Sequence, residues 1–157
     1  MAEAPAFEID ESKIYQVTIS TDRGAIVMDL EPKLAPKTVN NFVALARRGY
    51  YDGLTFHRVV PEFVIQSGCP EGTGRGGPGY KFADERVQGD FNIGAVAMAN
   101  AGPDTNGSQF FICIDDNIRK LDKAYNLFGH VVEGMDMALA TQVGDVMKTV
   151  AVEEVDA

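Results

Sequence analysis

The chain has no tryptophan, two cysteines and two histidines in 157 residues. Cys69 and Cys113 fit none of the paired spacings of a metal or redox site, so neither a bound metal nor any other cofactor is expected. Cys113 stands in an apolar run and reads as a small buried hydrophobe, while Cys69 follows Gly68 at a turn and is expected to be partly exposed. His130 lies inside an apolar strand, where a hydrogen-bonded structural histidine is expected. No H-x-x-x-H, C-x-x-C or G-x-S-x-G occurs, which leaves metal and serine hydrolases without support. No apolar run approaches the roughly 18 residues of a membrane-spanning helix. Basic charge is scarce as well: 14 Lys and Arg face 23 Asp and Glu, a net charge of −9. That balance argues against nucleic acid or an anionic membrane as the partner, since phosphates would be repelled. The first residues lack the basic start and apolar middle of a signal peptide, so a cytoplasmic location is the expectation.

What the chain does have is alternation. Its length suits one domain with a sizeable core, and 45% hydrophobic residues with 16 glycines suit a turn-rich globular protein. Residues 1–12 are acidic and aperiodic and read as a tail, leaving 13–157 as the single folded domain. Tyr15, Val17 and Ile19 alternate with polar residues, a turn at Thr21-Asp22-Arg23-Gly24 follows, and Ile26, Met28 and Leu30 return. Pro36 can open a helix with Val39, Phe42, Val43 and Ala46 on one stripe, with Arg47 and Arg48 at its end and Gly49 as the stop. Later runs at Ala95–Ala99, Gln109–Ile114, Leu127–Val132 and Val146–Val155 read as strands, with a short helix over Glu133–Thr141 carrying Met135 and Leu139 on one side. Gly72, Gly74 and Gly77 match G-x-G-x-x-G, but Pro78 and Gly79 follow where the nucleotide fingerprint needs a helix. A mobile surface loop is the better reading. About eight short strands joined by loops, with two helices, make a closed antiparallel β-barrel the economical architecture.

One stretch concentrates the chemistry. Phe56–Gly68 reads as two short strands folded about Pro61 and Glu62, and a turn centred on Glu62 sets Arg58 opposite Gln66 and Val60 opposite Val64. A carboxamide can hold one edge of a guanidinium and leave its other donors free for a substrate. The same arginine could instead cover a surface with its stem and keep its head in water. His57 falls on the opposite strand face. Gln109 and Phe111 share a face turned away from the apolar set Phe110, Ile112 and Ile114. One arginine, two amides and outward apolar groups do little acid–base work, but they can bind a peptide and polarise an amide.

Phe56–Gly68, Gly72-Thr73-Gly74, Met98–Ile112 and Phe128-Gly129, with the helix at Ala35–Phe42, resemble the cyclophilins over about Lys13 to Val155. The resemblance implies an eight-stranded antiparallel barrel capped by two helices and peptidyl-prolyl cis–trans isomerase activity in protein folding. Matched by motif, it implies that Arg58 is catalytic and Gln66 supports it. Phe63, Val64, Phe111 and Leu121 would line a proline pocket. Asn100 would hold the substrate backbone through its main chain, Ala99 and Ala101 would shape the floor, and Gln109 and Gly72 would border the next subsite. Lys120 stands where many members carry tryptophan, and Tyr125 where many carry histidine. Proline-containing peptides and folding polypeptides are the implied partners, and cyclosporin binding is expected to be weakened by the missing indole. A monomer satisfies every feature of the sequence. A proline-peptide binding module would use the same pocket, whereas a barrel carrying a small apolar ligand fails because the inward side chains are bulky.

Overall fold

The computed structural model describes residues 3–157; Met1 and Ala2 of the expected tail lie outside the described residues. The chain forms β1 (Lys13–Thr21), β2 (Gly24–Leu30), α1 (Pro36–Arg47), β3 (Arg58–Val60), β4 (Val64–Ser67), β5 (Ala95–Met98), β6 (Phe110–Cys113), β7 (Leu127–Glu133), α2 (Met135–Ala140) and β8 (Thr149–Asp156). All eight strands belong to one antiparallel sheet in the order β3-β4-β6-β5-β7-β2-β1-β8. The period-two reading of β1 and β2 holds: Tyr15, Val17 and Ile19 face Leu30, Met28 and Ile26 across the hairpin, all fully buried.

The sheet is not the closed ladder expected from sequence. β3 and β8 stand at its two ends. The segments just ahead of them meet through an isolated bridge, Thr55 to Val146, with backbone bonds from Phe56 N–H to Asp145, Met147 N–H to Leu54 and Gly53 N–H to Met147. β3 itself is only three residues long and pairs with β4 alone.

Helix α1 opens with Pro36 and buries the expected stripe of Val39, Phe42, Val43 and Ala46. It also buries Asn40 and Asn41, which the one-sided pattern did not indicate. Ala35 at the N-cap offers no side-chain acceptor. The Glu85 carboxylate substitutes, accepting from Lys37 N–H at 3.0 Å, Thr38 N–H at 2.8 Å and Thr38 Oγ1 at 2.7 Å. An anion there satisfies orphan donors and suits the helix dipole. Ala6 and Glu8 lie along α1: Asn40 accepts from Glu8 N–H and donates to the Ala6 carbonyl, and Arg47 pairs with Glu8 at 3.0 Å. Helix α2 follows its expected apolar side only in part: Met135 packs against the core together with Met137, Ala138 is fully buried, and Leu139 is 52% exposed.

Two apolar clusters result. Inside the sheet, Phe42 stacks on Tyr51 at 4.6 Å, and Phe110 and Phe128 pack around it. On the outer face, Val64, Phe91, Ala95, Ala97, Phe111, Cys113 and Leu127 form a second cluster. Adjacent residues of β6 therefore serve opposite sides, Phe110 and Ile112 within, Phe111 and Cys113 without. The outward face is itself covered, since Phe111 is only 4% exposed.

Candidate active site

The hairpin register is the one that centring on Glu62 requires: Arg58 opposes Gln66, Val59 opposes Ile65 and Val60 opposes Val64. Glu62 takes a left-handed φ of 61° at the tip. Phe111 of β6 pairs with Gln66 of β4 on one side and with Ala97 of β5 on the other. That stacking of strands places a cation, an amide and an aromatic ring on one surface.

There the chain forms a cavity of about 480 Å³ lined by His57, Arg58, Phe63, Val64, Gln66, Thr73, Gly74, Ala99, Asn100, Phe111, Leu121 and Tyr125. Arg58 is exposed and donates through one guanidinium nitrogen to Gln66 Oε1 at 3.2 Å. No carboxylate forms an ion pair with it among the described residues. Gln66 Nε2 donates to Gln109 Oε1 at 3.0 Å, and Gln109 Nε2 donates to the carbonyls of Gly74 and Gly76 at 2.9 and 3.0 Å. A chain of amides thus runs from the glycine-rich loop to the guanidinium and fixes each orientation in turn. Tyr125 meets Phe111 edge-on at 5.6 Å, and Phe91 backs both rings from below. Asn100 uses its side chain internally, Nδ2 donating to Ala124 and Oδ1 accepting from Gly102 N–H.

A second, wider groove of about 870 Å³ adjoins it, sharing Gln66, Gly74, Ala99 and Asn100 and continuing past Ala101 and Gln109 along the glycine-rich loop. Gly68, at φ 95°, follows β4; a Cβ there would stand 2.3 Å from the Ser108 carbonyl oxygen. Only glycine allows that approach.

Eleven of the residues expected at the site line one groove or the other: Arg58, Gln66, Phe63, Val64, Ala99, Asn100, Ala101, Gln109, Phe111, Leu121 and Tyr125. Two stand apart. Gly72 lines neither groove; its N–H closes a turn onto the Cys69 carbonyl. Lys120 does not line the 480 Å³ cavity, because its ammonium donates to the Glu62 carbonyl at 2.6 Å and to Asp115 at 2.8 Å. His57 belongs to the cavity wall, although strand alternation set it on the opposite face. It precedes β3, where alternation has not yet begun. Its ring nitrogens are buried and make no hydrogen bond of ordinary geometry among the described residues. Burial holds its pKa below the ordinary value, the Gln109 amide opposes this, and the neighbouring Arg58 charge adds to the lowering. His130 is not a structural histidine of the interior. Its side chain is half exposed and faces Glu31 at 3.1 Å.

Cys69 is buried, contrary to expectation. Its Sγ accepts from the N–H groups of Gly74 and Gly76 at 3.3 and 3.2 Å, which pins the glycine-rich loop against the body of the protein. Burial pushes this thiol up, but the N–H groups of Gly76, Gly74, Glu71 and Thr73 hold it down, at about 7. No group of His, Cys, Asp and Glu that could hold a metal ion occurs among the described residues.

An antiparallel eight-stranded sheet with two helices and this groove defines a class of fold, and comparison with known proteins identifies it. Residues 16–156 match the family model described as cyclophilin type peptidyl-prolyl cis-trans isomerase/CLD. The chain is 50% identical over 134 residues to peptidyl-prolyl cis-trans isomerase B of Bacillus subtilis, covering 84% of this chain and 93% of that protein. It is 42% identical over 151 residues to the peptidyl-prolyl cis-trans isomerase of Helicobacter pylori, covering 92% of each. A cyclophilin type isomerase of Cryptosporidium parvum superposes with a TM-score of 0.82 at 31% identity, over 89% of this chain and 98% of that one. It has also been solved in the presence of the dipeptide Ala-Pro. The chain belongs to the cyclophilin-type peptidyl-prolyl cis–trans isomerases.

Proposed function

We propose that Arg58 catalyses rotation about Xaa–Pro bonds without any covalent step, in peptides and in polypeptides that are still folding. The observation that carries this is the guanidinium itself: exposed at the cavity mouth, held on one edge by a neutral amide, and paired with no carboxylate among the described residues. The barrier to rotation is about 18–20 kcal/mol and comes from amide resonance. In the twisted state the prolyl nitrogen becomes pyramidal and gains a lone pair that a donor can stabilise. Phe63, Phe111 and Leu121 hold the ring and exclude water, which strengthens that contact relative to bulk solvent. Preferential binding of the twisted state by about 4–8 kcal/mol gives a thousandfold to millionfold acceleration. Arginine suits the role because it stays charged at any working pH and its fork is rigid.

Asn100 presents its main chain to the peptide on one side of the bond while its own side chain stays anchored to Ala124. Gln66 orients the guanidinium and takes no part in bond making. The Cryptosporidium parvum relative, solved in the presence of Ala-Pro, supports a proline ligand of the same kind here. The bridge between Thr55 and Val146 supports reading the sheet as a barrel whose seam is closed by loop backbone. A protease-coupled assay on wild type and Arg58→Ala tests the assignment. Turnover in the wild type, reduced about hundredfold or more in the mutant, is the expected result. An inactive wild type would make the pocket a binding module.

A further inference from the structure

Asn117 lies in the polar connection between β6 and β7, yet it is fully buried. Its Nδ2 donates to the Phe63 carbonyl at 2.8 Å. Its backbone N–H donates to the Phe91 carbonyl at 2.8 Å, and its own carbonyl accepts from Lys120 and Leu121 N–H at 2.9 and 3.0 Å. Those partners belong to three separate parts of the cavity. Phe63 and Leu121 are walls, and Phe91 lies beneath the Phe111 and Tyr125 rings. A second tie crosses nearby, from Lys120 Nζ to the Glu62 carbonyl at the hairpin tip, with Asp115 completing its surroundings. Asn117 Oδ1 has no partner of ordinary geometry among the described residues; beside it lies the Cys113 thiol, which burial pushes up to about 11 while Asn117 opposes the rise. A buried amide with one end poorly satisfied adds little net stability. The Phe63 carbonyl also accepts from Ile114 N–H at 2.9 Å, so an apolar residue at 117 would leave it tied to the end of β6 but would cut its tie to the segment that carries Leu121.

We propose that Asn117 is a positioning residue for isomerisation. It sets the separation between the Phe63 and Leu121 walls to suit the prolyl ring, and Lys120 fixes the same spacing at the hairpin tip. The inference rests on the assignment of this cavity as the proline site.

The test is steady-state isomerisation of matched peptides carrying proline or its larger ring homologue, pipecolic acid, with thermal melting as the control for folding. Asn117→Ala is expected to raise KM for the prolyl peptide about tenfold, the kinetic equivalent of one lost hydrogen bond, with kcat little changed. It should also narrow the preference for prolyl over pipecolyl peptides. A folded variant with wild-type KM and ring preference would overturn the proposal. So would a fall in kcat alone.

If Asn117→Ala does not fold, Lys120→Met and Lys120→Arg decide. A raised KM and narrowed preference in the first, restored in the second, support the proposal. Wild-type values in Lys120→Met overturn it. Should the wild type show no turnover, the assignment of catalysis fails by itself. The ratio of Kd values for prolyl and pipecolyl dipeptides, measured by calorimetry on the same variants, then settles whether Asn117 sets the width.

Discussion

The two faces of β6 are built from neighbouring residues and do different work. Phe110 and Ile112 point into a sealed cluster of stacked rings, where shape is fixed on every side. Phe111 points into a cluster that is covered by loops on most sides and opens at the cavity. The inner face is held mainly by packing, with the Tyr51 hydroxyl donating to the Ser108 carbonyl at 2.9 Å. The outer face is tied to its surrounding loops by directed hydrogen bonds, from Gln109 to the glycine-rich loop and from Asn117 to Phe63. The difference teaches that burial does not separate core from site here, since Phe110 and Phe111 are both almost wholly covered. What separates them is whether the cover is closed.

Phe110→Ala should break the inner face most severely. Removing a fully buried ring from an aromatic stack costs about 3–5 kcal/mol, read as a lower denaturant midpoint with an unchanged slope. Molecules that remain folded should turn over normally. Phe111→Ala should reverse that balance, lowering kcat/KM about tenfold or more because the proline ring loses its platform, at a smaller stability cost. If both substitutions damaged stability and activity in the same proportion, the distinction between the faces would fail.

Away from both faces, Glu85→Ala removes the carboxylate that accepts from the first turn of α1 and should cost about 1–2 kcal/mol of stability without changing KM. Cyclosporin should bind more weakly than it does to tryptophan-bearing family members. The sequence has no indole, and the Lys120 ammonium is already engaged at Glu62 and Asp115. An affinity equal to theirs in a titration would refute this.

The smallest effect is that of pH. His57 has its pKa lowered by burial, so the folded state prefers the neutral ring. Its stabilising contribution is therefore intact above the ordinary value of about 6.5 and erodes as pH falls from there toward the folded pKa. The rate should follow the same sign, with kcat/KM flat through neutrality and declining only on the acid side. A rise centred between about 6 and 7 would instead give a histidine a direct part in the reaction.

Much of this was legible in the sequence because alternation and turn chemistry act locally. The β1–β2 hairpin, the α1 stripe and the Arg58–Gln66 register all follow from spacing alone. The grouping of Phe63, Phe111, Leu121 and Tyr125 rested on the family resemblance, since they meet through strand stacking that no local pattern encodes. Other features were not legible. Glu85 caps α1 from 47 residues away, and Asn117 reaches Phe63 across 54. Polar residues in loops announce neither their burial nor their partners. Lys120 was placed at the pocket by the family resemblance alone, and its flexible side chain, with two nearby acceptors, reaches the hairpin tip. Cys69 looked exposed because it follows a turn, and it is buried because the glycine-rich loop folds back over it.

The central claim is that Arg58 acts on the twisted amide and not merely on the bound peptide. Exchange spectroscopy by NMR on an Xaa–Pro peptide at equilibrium separates these, since it reads cis–trans interconversion on the protein directly. In Arg58→Ala the peptide should still bind at the cavity, and its exchange should be slower by about hundredfold or more. Bound peptide exchanging at the wild-type rate in that variant would contradict the account.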